Sequence, residues 1–127
     1  MLETIASSFD KISTYGMGYA GYYPPGTPWN QVDSNCRVAG AAALLNQRRG
    51  QRVIEVSQGI YQPSPPELQQ AEIAAACTAA QEANALFPHT VTSLVFTNEY
   101  VTDTVTTNAV TAMLTANKPA AKTLGAN

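Results

Sequence analysis

A strand, a long helix and a second strand follow one another between residues 52 and 100, and this order constrains the fold most. RVIEVSQG (52–59) and TVTSLVFTNEY (90–100) have the β-branched content and the alternation that are typical of strands. The Ala-rich segment between them starts with a capping-box pattern, in which Glu67 follows Ser64 by three residues. Strands joined through a helix pair in parallel with a right-handed crossover, so this segment predicts a βαβ unit.

Proline residues mark both ends of this helix. Pro65 takes the first helical position, where a backbone N–H is not needed, and Pro88 ends the helix. Apolar residues recur between them at helical spacing, which predicts one face that packs against a sheet. We expect this face to consist of Leu68, Ala75, Ala76, Ala79, Ala83 and Leu86.

The flanking segments extend the same alternation of strands and helices. DKISTYG (10–16) predicts a first strand, and NCRVAGAAALLNQRRG (35–50) predicts a helix that ends at Gly50. After the last strand, AVTAMLTANK (109–118) predicts a final helix that stops at Pro119. The order β-α-β-α-β-α predicts an α/β fold with a parallel sheet.

Length and charge limit the classes of protein to consider. The 127 residues suit a single domain, 1–127, and the net charge of −2 without a basic cluster argues against nucleic-acid binding. No apolar run is long enough for a membrane span, and the first ten residues do not match a signal peptide. Cys36 and Cys77 are either two small buried side chains on neighbouring helices or one disulfide. Neither a metal nor an organic cofactor is expected.

The alternation within the strands separates an apolar face from a polar one. Val56 and Leu94 belong to the apolar face, whereas Ser57, Ser93 and Thr97 belong to the polar face. A doubly wound sheet needs two apolar faces, while the wall of a barrel has helices on one face only. We therefore predict three βα units that form part of a (β/α)8 barrel, with parallel strands and helices on one face.

Four pieces of the chain resemble strands two to four of the family 17 glycoside hydrolases, which are β-1,3-glucanases and glucanosyltransferases with a TIM barrel. The pieces are KISTYGMG, RVIEVSQGIY, the Pro–Glu-led helix and HTVTSLVFTNEYV, and the resemblance covers about residues 3–123. Its sharpest motif is Thr97-Asn98-Glu99. The resemblance implies that Glu99 is the acid/base, that Asn98 bonds the sugar 2-hydroxyl, and that Tyr15 lines the site.

Other side chains near the predicted strand ends complete the candidate site. Gln58, Tyr61 and Trp29 are the further candidate sugar contacts. The family's nucleophile lies on strand seven, to which nothing in this chain aligns. Glu55 is the candidate second carboxylate, and its other interpretation is a polar filler of a barrel interior. Asp103 is either a partner of Glu99 or the cap of a turn.

These observations support three functional hypotheses. The chain is a glycoside hydrolase-like protein that acts on β-1,3-glucan, as an assembly or as part of a larger enzyme. Alternatively, it is a non-catalytic β-glucan-binding module or an inactive half-barrel fragment. A three-stranded sheet leaves its edges open, so we expect a homo-oligomer or pairing with the missing barrel strands, and no membrane partner. The family implies an extracellular location.

Overall fold

The computed structural model describes residues 1–17, 35–61, 66–97 and 101–124. Four helices and three strands lie within these ranges. The helices are α1 (Leu2–Ala6), α2 (Asn35–Arg49), α3 (Pro66–Leu86) and α4 (Thr104–Thr123), and the strands are β1 (Lys11–Ser13), β2 (Glu55–Ile60) and β3 (Val91–Phe96).

The strands form one parallel sheet in the order β1-β2-β3. Ser13 pairs with Ser57 and Ser57 pairs with Ser93, so the same row of the sheet crosses all three strands. Helices α2 and α3 pack against β2, and α3 and α4 pack against β3. The prediction of an α/β fold with three parallel βα units is therefore confirmed, with strands that are shorter than expected.

A register shift next to Val56 keeps the two faces of the sheet chemically distinct. Val56 pairs with Val91, but the next pair is Ser57 with Ser93, so Thr92 is an extra residue in β3. Because of this bulge, Val91 and Leu94 are both buried although they are three residues apart. The buried residues Val91 and Leu94 thus face the helices, and Ser93 faces the other side beside Ser57.

Alanines dominate the contact between α2 and α3, and their small side chains allow the two helices to approach closely. The buried residues of α2 include Ala39, Ala42 and Ala43, while those of α3 include Ile73, Ala76, Ala80 and Ala83. The face predicted for α3 is partly wrong, because Leu86 is 37% exposed and Ile73 and Ala80 are buried. Ile73 is the largest apolar side chain among these buried residues of α3. The side chain of Leu68 and the predicted cap Ser64-Pro65 lie outside the described residues.

Two asparagines hold the turns that lead from helices into strands. Asn46, fully buried on α2, accepts hydrogen bonds from the N–H groups of Val53 and Ile54 at 2.9 and 3.1 Å and donates to the Ile54 carbonyl. Asn84 on α3 likewise accepts from the Val91 N–H at 2.8 Å and donates to the Val91 carbonyl at 3.0 Å. In both turns an asparagine bonds the residue seven positions later, which fixes where the next strand begins.

Helix α4 begins earlier and continues further than the sequence predicts. Asp103 caps it, because its side chain accepts from the Thr106 N–H at 2.8 Å and the Thr106 hydroxyl accepts from the Asp103 N–H at 3.0 Å. The capping alternative for Asp103 is therefore confirmed. The expectation that Pro119 ends the helix is wrong. Pro119 is exposed, so water can bond the carbonyl that lacks its usual partner, and Ala121 is buried beyond it.

We predict that Asn46→Ala lowers the free energy of unfolding by about 2 to 4 kcal/mol, since it leaves buried backbone groups unpaired. Urea denaturation followed by circular dichroism measures the change. Gln47→Ala is the matched control, because Gln47 is exposed on the same turn of α2. Equal effects of the two substitutions would contradict a special role for Asn46.

The lowered pKa of Asp103 predicts that its contribution to stability is lost in acid. Hydrogen bonds from the backbone and the side chain of Thr106 lower the pKa of Asp103 from its ordinary value of 3.8. A lowered pKa in the folded state stabilises the fold above the ordinary pKa and ceases to do so as the pH falls through the lowered value. We expect Asp103→Ala to lower the Tm at pH 7 by more than at pH 2. The melting curve at both pH values tests this, and a constant difference would contradict it.

Candidate functional site

A cavity of about 280 Å³ opens where the three strands end. Each strand or the residue after it contributes to the lining, which consists of Ser13, Thr14, Tyr15, Gly59, Val95 and Thr97. The alternation along β2 places Gly59 on the same face as Ser57, opposite the buried Val56 and Ile60. In parallel α/β folds the carboxyl ends of the strands form the usual binding edge. The cavity is therefore the candidate functional site.

Close backbone packing at Gly59 shapes the floor of this cavity. A Cβ atom at Gly59 would lie 2.0 Å from the carbonyl oxygen of Thr14, so the Thr14–Tyr15 peptide rests directly against the glycine. The Thr14 hydroxyl accepts hydrogen bonds from the Gly59 N–H at 2.9 Å and from Nε2 of Gln58 at 2.7 Å. These contacts hold the chain after β1 against β2 and bring Tyr15 to the cavity.

Tyr15 and Tyr61 are exposed tyrosines that follow β1 and β2 in the described part of the chain. Tyr15 is 70% exposed and Tyr61, directly after β2, is 49% exposed. Aromatic rings at such positions present an apolar face to a ligand and a hydroxyl to water. The structure thus places both predicted contacts at the carboxyl edge of the sheet, and their role in sugar binding stays a prediction.

Gln58 occupies a different place from the one expected for a sugar contact. Gln58 is two residues from both Val56 and Ile60 and therefore shares their face of β2. Its side chain faces the helices and is fully buried. Its Nε2 donates to the Thr14 hydroxyl, and its Oε1 has no hydrogen-bond partner among the described residues. Because no atom of the side chain reaches the surface, direct sugar binding by Gln58 is not supported. Gln58 instead positions Thr14.

Glu55 lies at the amino end of β2, two residues before Ser57, which pairs with Ser13 of the cavity lining. Its carboxylate forms ion pairs with Lys11 at 2.9 Å and Arg52 at 3.7 Å. The five residue steps from Glu55 to Ile60 correspond to about 16 Å of strand, at about 3.3 Å per step. This distance and the two cations argue against Glu55 as the second carboxylate and favour its other interpretation, a structural polar residue.

The central motif of the sequence analysis continues beyond the described part of the chain. Glu99, Asn98 and Trp29 lie outside the described residues, and their assigned roles stay predictions. Thr97 is described, and it has a φ of +70°, a left-handed conformation that costs energy in a β-branched residue. Its N–H donates to the Ile60 carbonyl at 3.0 Å. The chain is therefore turned sharply, and held by β2, immediately before Asn98-Glu99.

Glu72 is a buried carboxylate that the sequence analysis missed. It is fully buried on α3, and its Oε1 accepts hydrogen bonds from the N–H groups of Met17 and Tyr61. It therefore joins the chain after β1 to the chain after β2. Helical spacing does carry a signal for its burial, since Glu72 lies one turn before Ala76 on the buried stripe.

One cysteine side chain, that of Cys77, lies in the described part of the protein. Cys77 has a free, half-buried thiol, and burial raises its pKa, so the disulfide alternative does not apply to Cys77. The side chain of Cys36 lies outside the described residues. Within those residues no group of three or more His, Cys, Asp or Glu side chains is arranged to hold a metal ion. The helices in the described ranges include none that is long and apolar enough to cross a bilayer.

Comparison of the chain with family models, with curated proteins and with solved structures gave no match. The resemblance to the family 17 glycoside hydrolases therefore depends on the quoted strand motifs alone.

We predict opposite effects for two glycine substitutions. Gly59→Ala should destabilise the fold by about 3 kcal/mol, the upper range for overpacking, because the new Cβ meets the Thr14 backbone. Gly40→Ala is the matched control: nothing lies within 4 Å of its added Cβ, and alanine should stabilise α2 by up to about 1 kcal/mol. Urea denaturation measures both values. A Gly59→Ala variant with the same free energy of unfolding as the parent would contradict the close approach of the segment after β1.

Proposed function

We propose that the cavity at the carboxyl edge binds a β-1,3-glucan, and that Glu99 is the acid/base of a glycoside hydrolase-like site. The observation that carries this proposal is the position of the cavity. It is lined by Tyr15 and by Thr97, and Thr97 directly precedes Asn98-Glu99. A ligand in the cavity would therefore lie beside the start of the Asn-Glu pair.

The chemistry of the cavity lining suits an uncharged, hydroxyl-rich ligand. All six lining residues are uncharged, and three of them carry aliphatic hydroxyl groups: Ser13, Thr14 and Thr97. Tyr15 adds an exposed aromatic ring that can stack on the C–H face of a sugar. The volume is near the lower end of ligand pockets, about 300 Å³, which fits a small unit such as one sugar ring.

Hydrolysis requires a second carboxylate near Glu99. Retaining enzymes hold the two carboxyl groups about 5–5.5 Å apart and inverting enzymes about 6.5–9.5 Å apart. Glu55 is about 16 Å along the strand from Ile60 and is ion-paired with Lys11 and Arg52, which disfavours it as this second carboxylate. We therefore propose that this chain acts as part of a larger enzyme or of an assembly that supplies the second carboxylate.

The sheet offers a way to build such an assembly. In the described part of the chain, β1 and β3 are the outer strands, and each has one edge that no described strand pairs. Open edges of this kind pair with further strands, either from a second copy or from another polypeptide. Pairing there would extend the sheet around its helix-free face, where a partner carboxylate can approach the cavity. An extracellular location, where such glucans are encountered, belongs to the same proposal.

A non-catalytic β-glucan-binding module is the second candidate function. The position of Glu55 favours it, because a cavity without a nearby second carboxylate can bind a glucan without cleaving it. This function needs the tyrosines and the hydroxyl groups but tolerates Glu99→Gln. An inactive half-barrel fragment would lack both binding and cleavage.

Reducing-sugar release from laminarin, glucan binding by calorimetry and light scattering on the same sample distinguish these functions. If Glu99 is the acid/base, Glu99→Gln lowers the rate by about 10² to 10⁴-fold. Glu82→Gln, on the exposed surface of α3, is the matched control and keeps the full rate. Binding without release in the parent protein supports the binding module, and absence of both contradicts both functions. A mass of 13.5 kDa by light scattering would contradict self-association.

A further inference from the structure

Three segments of the chain meet at one oxygen atom of Glu72. Its Oε1 accepts from the N–H of Met17, in the segment after β1, and from the N–H of Tyr61, directly after β2, at 3.3 Å. Gly16 completes the junction, because a Cβ atom there would lie 2.9 Å from Oε1 and 2.8 Å from Cβ of Tyr61. We call this group of residues, Gly16, Met17, Tyr61 and Glu72, the Glu72 junction.

The junction is tight enough to set the relative position of the segments it joins. Glu72 and Met17 are buried, so water does not replace these hydrogen bonds easily. A carboxylate oxygen is a stronger acceptor for backbone N–H groups than a neutral one. The absence of a side chain at Gly16 lets the backbone after β1 pack directly on Tyr61. Neither segment can shift without disturbing the same carboxylate.

Both exposed tyrosines at the carboxyl edge, Tyr15 of the cavity lining and Tyr61 directly after β2, are attached to this junction. Tyr15 immediately precedes Gly16, and the backbone of Tyr61 is itself bonded to Glu72. Their rings project outward, at 70% and 49% exposure, while the backbone that carries them is held inside. A sugar that contacts two rings needs a fixed separation between them, because ordering mobile side chains reduces affinity.

We propose that Glu72 is a positioning residue that holds Tyr15 and Tyr61 as one two-ring platform for a sugar. This inference rests on the proposed glucan binding and adds a residue that does not touch the ligand. A positioning role for Glu72 differs from a purely structural role in one measurable respect. Loss of Glu72 should reduce glucan affinity through the tyrosines, and not only reduce the stability of the fold.

A double-mutant cycle on the full chain tests this coupling, with laminarihexaose as the ligand and calorimetry as the measurement. Tyr61→Ala and Glu72→Met should each weaken binding by about tenfold, which corresponds to about 1.4 kcal/mol. Met fills the space of Glu72 but accepts no hydrogen bonds from the two N–H groups. The double variant should bind no more weakly than either single variant, because both changes remove the same platform.

Two further variants separate positioning from general effects. Glu72→Gln keeps an acceptor oxygen at the junction, so its affinity should stay within about twofold of the parent. Glu82→Ala changes an exposed carboxylate on the same helix and should leave the affinity unchanged. Additive losses in the cycle would overturn the proposal. A lower Tm for Glu72→Met with unchanged affinity would overturn it as well.

A second measurement keeps the inference testable if the parent protein does not bind laminarihexaose. That result would contradict the proposed function, whereas the junction is tested by the NMR signals of the two tyrosine rings. Glu72→Met should shift both ring spectra and remove the exchange protection of the Met17 and Tyr61 amides, and Glu72→Gln should restore both. If Glu72→Met does not fold, the same comparison uses Gly16→Ala, whose Cβ enters the junction from the opposite side. Unchanged Tyr15 signals would overturn the proposal in either variant.

Discussion

The ends of the parallel strands have backbone N–H and C=O groups that the sheet itself does not pair, and the structure depends on helix side chains that bond them. At the amino edge, Asn46 bonds the backbone of the two residues before β2, and Asn84 bonds the backbone of Val91, the first residue of β3. At the carboxyl edge, Glu72 accepts from the segments after β1 and β2. Buried backbone groups must find such partners, because an unpaired one costs about as much as a lost hydrogen bond.

The two edges nevertheless differ in charge. Ion pairs lie at the amino edge, whereas the cavity lining at the carboxyl edge is uncharged. The amino edge carries the Lys11–Glu55–Arg52 ion pairs. The carboxyl edge exposes Tyr15 beside hydroxyl groups, and the Glu72 carboxylate there lies beneath the surface. Exposed ion pairs contribute little binding chemistry for a neutral ligand, whereas an uncharged cavity with an aromatic ring suits one. The proposed glucan site therefore belongs at the carboxyl edge.

Features that depend on local patterns could be predicted from the sequence. The strand and helix order followed from periodicity, and Gly50, which has a φ of +64° directly after α2, is the expected helix-ending glycine. The start of α4 was missed because Asp103 forms its capping box with Thr106, where glutamate or glutamine is the usual signal. The prediction for Pro119 was wrong because a proline ends a helix only where the carbonyl four residues earlier finds no other partner. Here Pro119 is exposed, so water can bond that carbonyl.

The site was harder to predict because its key contacts join residues distant in sequence. Glu72 bonds Met17, 55 residues away, and no local pattern indicates that pairing. The prediction of Gln58 as a sugar contact conflicts with the strand alternation of β2. Applied fully, this alternation puts Gln58 with Val56 and Ile60 among the helices. Alternation was therefore sufficient for this residue, whereas burial of Glu72 required the helix and the sheet together.

One face of the sheet carries a row of small polar side chains instead of apolar ones. Ser13, Ser57 and Ser93 form one row across the sheet, and the Ser57 and Ser93 hydroxyls bond each other at 2.7 Å. Small polar side chains leave room on this face for another layer or for further strands, without giving the face an apolar core of its own. Glutamates at the ends of neighbouring parallel strands converge when the sheet curves, as in a barrel. The proposed role of Glu99 therefore goes together with the proposed assembly, in which strands beyond these three supply the second carboxylate.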